Sequence, residues 1–195
     1  INKLVSFGTR HTMSSTTDAK KGIGAARNWV LSKFKNYAKN SDGRMEVFLQ
    51  SQTIQPDGKR INQPTDLGNA IAILRGTDPN DKRIFMIGGH LDSRVSDVMN
   101  AKDFAPGAND DGSGVGAVIE SARILSQSKF PATIVFVAFS GEEQGLLGAK
   151  MLAEKAKNEN WQLEALLNND MIGNNLTSET NLINANQLRV FSEGL

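Results

Sequence analysis

Apolar positions along this chain follow two periods that take turns. Over Asp18–Lys39 they fall at Ile23, Ala26, Trp29, Val30, Leu31 and Phe34, the spacing of a helix with one buried face. Met45–Ile54 reads as a strand and is followed by a turn-rich stretch holding Pro56, Asp57, Gly58 and Pro64. Asn69–Leu74 is a second strand and Arg83–Gly89 a third. The near-unbroken run of Ile84, Phe85, Met86 and Ile87 suits a strand covered on both faces. A polar loop, Asp92–Asp111, carries Pro106-Gly107, and Gly112–Ser126 then predicts a helix whose stripe is Val115, Val118, Ile119, Ala122 and Leu125. Ala132–Phe139 is the clearest buried strand, Gln144–Lys157 a further helix, and Leu163–Asn169 an apolar run leading to Asp170. Leu182–Asn184 and Leu188–Phe191 read as two more short strands. Strands alternating with helices predict an α/β three-layer sandwich around a mixed, mostly parallel central sheet, with residues 1–195 forming a single domain.

Composition narrows the chemistry. A chain of 195 residues can enclose a sizeable core, and no apolar run is long enough to cross a membrane as a helix. The formal net charge of +1 predicts no special affinity for nucleic acid or an acidic membrane surface. The chain begins at Ile1 and carries no signal peptide, which suggests a processed or trimmed product. Cysteine is absent, so disulfides, thiolate metal sites and cysteine nucleophiles are excluded together. Any metal must be held by carboxylates and imidazole.

In open α/β sheets, ligands bind beyond the carboxyl ends of the strands. His90 and Asp92 follow the strand ending at Gly89, and Glu142-Glu143 follow the strand ending at Phe139 after a Ser140-Gly141 turn. Asp170 follows the run through Leu167, and Asp110-Asp111 sit at the mouth of the next helix. Each group has an ordinary reading: a hydrogen-bonded core histidine, a helix N-cap, a solvated helix start, a turn cap. Taken together they place several carboxylates on one sheet edge, where they would repel unless divalent cations balanced them.

Four motifs in order, GGHLDS at 88–93, PGANDDGSG at 106–114, AFSGEEQGLLGA at 138–149 and NDMIG at 169–173, resemble those of the co-catalytic di-zinc aminopeptidases, the bacterial leucyl-type zinc exopeptidases. The segment Ser6–His11 resembles the start of that family's domain. The resemblance implies two Zn2+ ions and a role for each residue. His90 would bind one zinc through a ring nitrogen while Asp92 hydrogen-bonds the other nitrogen. Asp110 would bridge the metals, and Asp111 would shape the backbone beside it at a cis peptide. Glu143 and Asp170 would each ligate one zinc. Glu142 would be the general base. The substrate would be a peptide or protein N-terminus, hydrolysed by water activated between metals about 3.5–4 Å apart. Relatives of this kind suggest a secreted or periplasmic protein.

The family pattern also needs a second histidine well downstream of Asp170, whereas this chain has His11 and His90 alone. His11 lies at the wrong end of the order and reads as a surface or core histidine. An N-terminal fragment of a catalytic domain, with weak or no activity alone, is the resulting expectation. Glutaminyl cyclases and carboxypeptidase-type relatives share this fold and part of the site, and a receptor or adaptor without metal is the non-enzymatic alternative.

Overall fold

The computed structural model describes residues 1–176 together with Ile183, Asn186 and Val190. Its elements are α1 (Asn2–Val5), α2 (Gly22–Ala38), β1 (Met45–Ile54), β2 (Thr65–Leu74), β3 (Arg83–His90), α3 (Gly112–Leu125), β4 (Thr133–Phe139), α4 (Leu147–Asn158) and β5 (Gln162–Asn168). The strands form one sheet in the order β1-β2-β4-β3-β5. β2 pairs antiparallel with β1 and β4, while β3 pairs parallel with β4 and β5. Thus β1, β3, β4 and β5 run one way and β2 runs against them, the mixed and largely parallel sheet expected. Of the strands suggested at Leu182–Asn184 and Leu188–Phe191, Ile183 and Val190 are described, Ile183 in an isolated antiparallel bridge with Leu176, and the other residues lie outside the described ones.

Side chains alternate across a strand. On β2 and β4 this sends Ala70, Ala72, Leu74, Ile134, Phe136 and Ala138 to one face, against Val30 and Phe34 of α2 and Val115 and Val118 of α3. The alternate residues Ile71, Ile73, Val135 and Val137 pack on the other face with Leu152 of α4. Helices on both sides explain why ATIVFVAF is apolar without interruption. The similar run in β3 is less fully covered than its composition suggests. Phe85 is 37% exposed, and Leu163, Leu166 and Leu167 of the neighbouring β5 are exposed as well. β3 lies one strand in from β5, one of the two edge strands among the described residues, so packing on its flank is thinner.

Helix ends differ from the periodic reading for local reasons. The Asp18 carboxylate accepts the N–H groups of Lys20 and Lys21, and Gly22 has φ +82°, so the chain turns before α2 begins. Likewise α4 begins at Leu147 rather than Gln144, because Gly141, Gly145 and Leu146 adopt positive φ. The short α1 was not anticipated.

Register sets the site. His90 pairs with Phe139 across β3 and β4, and Gly88 pairs with Asn168 across β3 and β5. The carboxyl ends of three parallel strands therefore finish level. Gly114, in the first turn of α3, closes the same edge: a Cβ there would lie 2.1 Å from the Asn169 carbonyl oxygen and 2.6 Å from both Asp111 carboxylate oxygens. Only a residue without a side chain lets α3 approach this closely.

Candidate metal centre

His90 ends β3 with its ring buried. Nδ1 lies 3.1 Å from the backbone carbonyl of Asp92, which can only accept, so Nδ1 carries the proton and Nε2 is left as the ligating nitrogen. Nε2 faces Asp110 Oδ1 at 2.9 Å and Asp170 Oδ1 at 3.8 Å. Donor atoms of His90, Asp110 and Asp170 all lie within 4.8 Å of one another. One imidazole and two carboxylates converging in this way fit a zinc ion.

Electrostatics describe the same cluster with a proton where a cation would sit. Burial alone would lower the His90 pKa, but hydrogen bonding to Asp110 and the charges of Asp92 and Asp111 overcome it and push it up to about 11. The His90 hydrogen bond is the main reason the Asp110 carboxyl is held below the usual range. Metal ligation requires neutral imidazole, so a bound ion would take the place of that proton.

Asp111 turns inward. Its carboxylate accepts from His90 N–H at 2.9 Å, Gly114 N–H at 2.9 Å and Met171 N–H at 3.2 Å, tying together β3, α3 and the segment after β5. Burial pushes its carboxyl up to about 7, against the opposing pull of His90 and these N–H groups. The Asp110-Asp111 peptide is cis, as the resemblance implied.

Asp92 departs from its expected role. Its nearest carboxylate oxygen is 3.7 Å from His90 Nδ1, beyond hydrogen-bond reach; the backbone carbonyl makes that contact instead. The carboxylate accepts from the N–H groups of Glu142 and Glu143, each at 3.1 Å, and from the Thr12 hydroxyl at 3.2 Å. It is fully buried, which alone would raise its pKa. The neighbouring His90 and the two N–H groups outweigh burial and keep it low. Asp92 therefore fastens the β3 loop to the Glu142-Glu143 turn.

Glu142 and Glu143 occupy the turn between β4 and α4, made possible by Gly141 at φ +73°. Glu142 borders a cavity of about 250 Å³ with His90 and Asp170, whose apolar side is Phe139, Leu146, Ala149 and Leu166. Burial raises the Glu142 pKa, and Asp92, Glu143 and Asp170 add to the rise against His90. Glu143, expected as a ligand, is not drawn into the cluster; its Oε2 accepts from Arg94 Nε at 2.6 Å.

Several residues at this edge were not assigned a role from the sequence. Arg10 is fully buried and donates to the carbonyls of Leu91 at 2.7 Å, Pro106 at 2.7 Å and Gly107 at 2.9 Å, joining the two loops that carry His90 and Asp110. Burial lowers its pKa to about 10 despite the nearby Asp92, Asp111 and Asp110. Gln144 is buried and bonded to the Thr12 hydroxyl. His11 is a core residue: Nδ1 accepts Met13 N–H at 3.1 Å, leaving Nε2–H to donate to Val98 O at 3.0 Å. The segment Ser6–His11, resembling the start of a domain, was the available signal for Arg10 and His11, and the AFSGEEQGLLGA motif was the signal for Gln144.

Residues 69–191 match the profile of Peptidase family M28, which spans every residue of the cluster. The chain belongs to peptidase family M28. Across its full length this M28 chain is 45% identical to a probable zinc metalloprotease of Pyricularia oryzae, of which it covers 38%. The chain thus spans well under half the length of that relative. Among solved structures it resembles the LapA aminopeptidase of Legionella pneumophila, with a TM-score of 0.59 and 25% identity over 88% of this chain and 42% of that one. The Porphyromonas gingivalis glutaminyl cyclase shares the fold, with a TM-score of 0.66 and 22% identity over 88% of this chain and 58% of that one. No helix among the described residues is long and apolar enough to cross a membrane.

Proposed function

We propose that the protein carrying this M28 chain is a two-zinc aminopeptidase, with His90, Asp110, Glu143 and Asp170 as ligands and Glu142 as general base. The observation that carries this reading is the division of labour around one cleft. His90, Asp110 and Asp170 converge on a common point, while the Glu142 side chain faces the same cavity and accepts no hydrogen bond among the described residues. Bound zinc would supply Lewis acidity for the scissile carbonyl and for an attacking water.

The chain's own residues account for the proton transfers. The raised pKa of Glu142 brings it closer to the working range of a general base, able to take the proton of the attacking water and return it to the leaving amine. Asp92 holds that turn through its backbone, so the carboxylate stays free to act. The LapA likeness supports peptide N-termini as substrate, and a secreted or periplasmic location rests on the family resemblance.

Glutaminyl cyclisation is the second reading, favoured by one feature: the structure assembles one three-donor cluster and leaves Glu143 outside it. Zinc stoichiometry of the full-length protein separates the two, with about two equivalents supporting the peptidase and one the cyclase. Glu142→Gln is the sharper test. Zinc uptake should persist while hydrolysis of an aminoacyl p-nitroanilide falls by about 10²–10⁴-fold. Loss of zinc in this variant would show that base and ligand are assigned the wrong way round.

A further inference from the structure

Glu143 stands outside the cluster, yet it is gripped at three points. Its N–H donates to Asp92 Oδ2 at 3.1 Å, and its carbonyl accepts from Arg60 Nη1 at 2.7 Å. Its Oε2 accepts from Arg94 Nε at 2.6 Å. Arg94 is itself anchored, because Nη1 donates to the carbonyls of Val95 at 3.1 Å and Ser96 at 3.2 Å. The guanidinium is therefore fixed by its own loop and does not depend on Glu143 for its position. With Oε2 taken, Oε1 is the carboxylate oxygen without a hydrogen-bond partner among the described residues.

Arg94 also answers a charge problem. Glu142 lies close enough to Asp92, Glu143 and Asp170 for their charges to raise its pKa, and the Arg94 guanidinium interacts favourably with Glu143, Asp110 and Glu142. A carboxylate that gives one oxygen to a metal commonly has the other held by a donor, which orients it and tunes the ligand. Nε of an arginine anchored on backbone carbonyls is such a donor.

We propose that Arg94 is a positioning residue that holds Oε2 of Glu143 and so presents Oε1 to the second metal position, with Arg60 fixing the backbone of the same residue. This rests on the two-zinc reading above. The role is distinct from that of Arg10, which donates to the carbonyls of Leu91, Pro106 and Gly107 and braces the loops of His90 and Asp110.

The test is calorimetric titration of zinc into the metal-free full-length protein, comparing wild type, Arg94→Gln and Arg94→Lys, with thermal unfolding of each metal-free form alongside. The wild type should take up two equivalents. Arg94→Gln should keep one of them at unchanged affinity and bind the other about 10–100-fold more weakly, with an unfolding midpoint close to wild type. Arg94→Lys should fall between, since an ammonium retains the charge but not the planar fork. Unchanged or tighter binding of both equivalents by Arg94→Gln would overturn the proposal; tighter binding would mean that Arg94 competes with the metal for Glu143. Equal loss at both positions, or a large fall in the unfolding midpoint of both variants, would overturn it too by making Arg94 a general structural support. A single equivalent in the wild type refutes the two-zinc reading, and the role of Arg94 with it, without reference to any variant.

Discussion

The two halves of this site are held by different physics. His90, Asp110 and Asp170 come from strand ends and a helix mouth whose positions follow from sheet register and the close approach of α3 at Gly114. Glu142 and Glu143 come from a turn with little apolar packing of its own, kept in place by Asp92, Arg60 and Arg94. The first half is preorganised by the core, and its donors already converge. The second is wired by hydrogen bonds to charged groups, and there the expected ligand Glu143 has not joined the cluster. A wired arm can be repositioned by exchanging partners, whereas a packed one moves only if the sheet moves.

Cutting the wires is the severest way to break this contrast. Asp92→Ala removes the buried anion beside His90 and the acceptor for the N–H groups of Glu142 and Glu143. Destabilisation of about 3–5 kcal/mol is expected, measured by urea unfolding of the metal-free protein. A loss below about 1 kcal/mol would mean that the turn is held by packing after all. Gly114→Ala probes the packed half. Its new methyl meets backbone oxygen, so a cost of about 1–3 kcal/mol is expected, together with weaker zinc uptake at the His90 position. Wild-type stability and zinc affinity would show that α3 has more freedom than register allows. The smallest effect should come from Thr12→Val, which removes the hydroxyl bonded to Asp92 and Gln144. About 1 kcal/mol is expected, with the peptidase pH profile unchanged. If the profile shifted, Thr12 would belong to the proton-transfer apparatus rather than to the scaffold.

Much of the packed half could be read from residue patterns. β1 runs Met45–Ile54 in both the periodic reading and the structure, and β3, β4 and α3 differ from it by a residue or so at their ends. That agreement reflects period: an apolar run between turn residues carries its own boundaries. The wired half was read less well. The resemblance implied that the Asp92 carboxylate bonds the second ring nitrogen of His90, but that contact goes to the Asp92 backbone carbonyl and the carboxylate turns toward the Glu142-Glu143 turn after β4. Arg94 and Arg60 carry no periodic signal at all. Long charged side chains in polar loops show their partners only when the loops are placed.

Residue order by itself determined the alternation of strands and helices, the lack of thiol ligands, and the set of carboxylates and imidazole at strand ends. These are local or compositional properties, fixed by side-chain chemistry and by the reach of a few residues. Tertiary structure alone decided that His90 Nε2 meets Asp110 and Asp170, that Asp92 holds the backbone of the Glu142-Glu143 turn, and that Glu143 is paired with Arg94. Each of those contacts joins segments twenty or more residues apart. Their geometry depends on sheet order and strand register, which long-range packing sets and neighbouring residues do not encode.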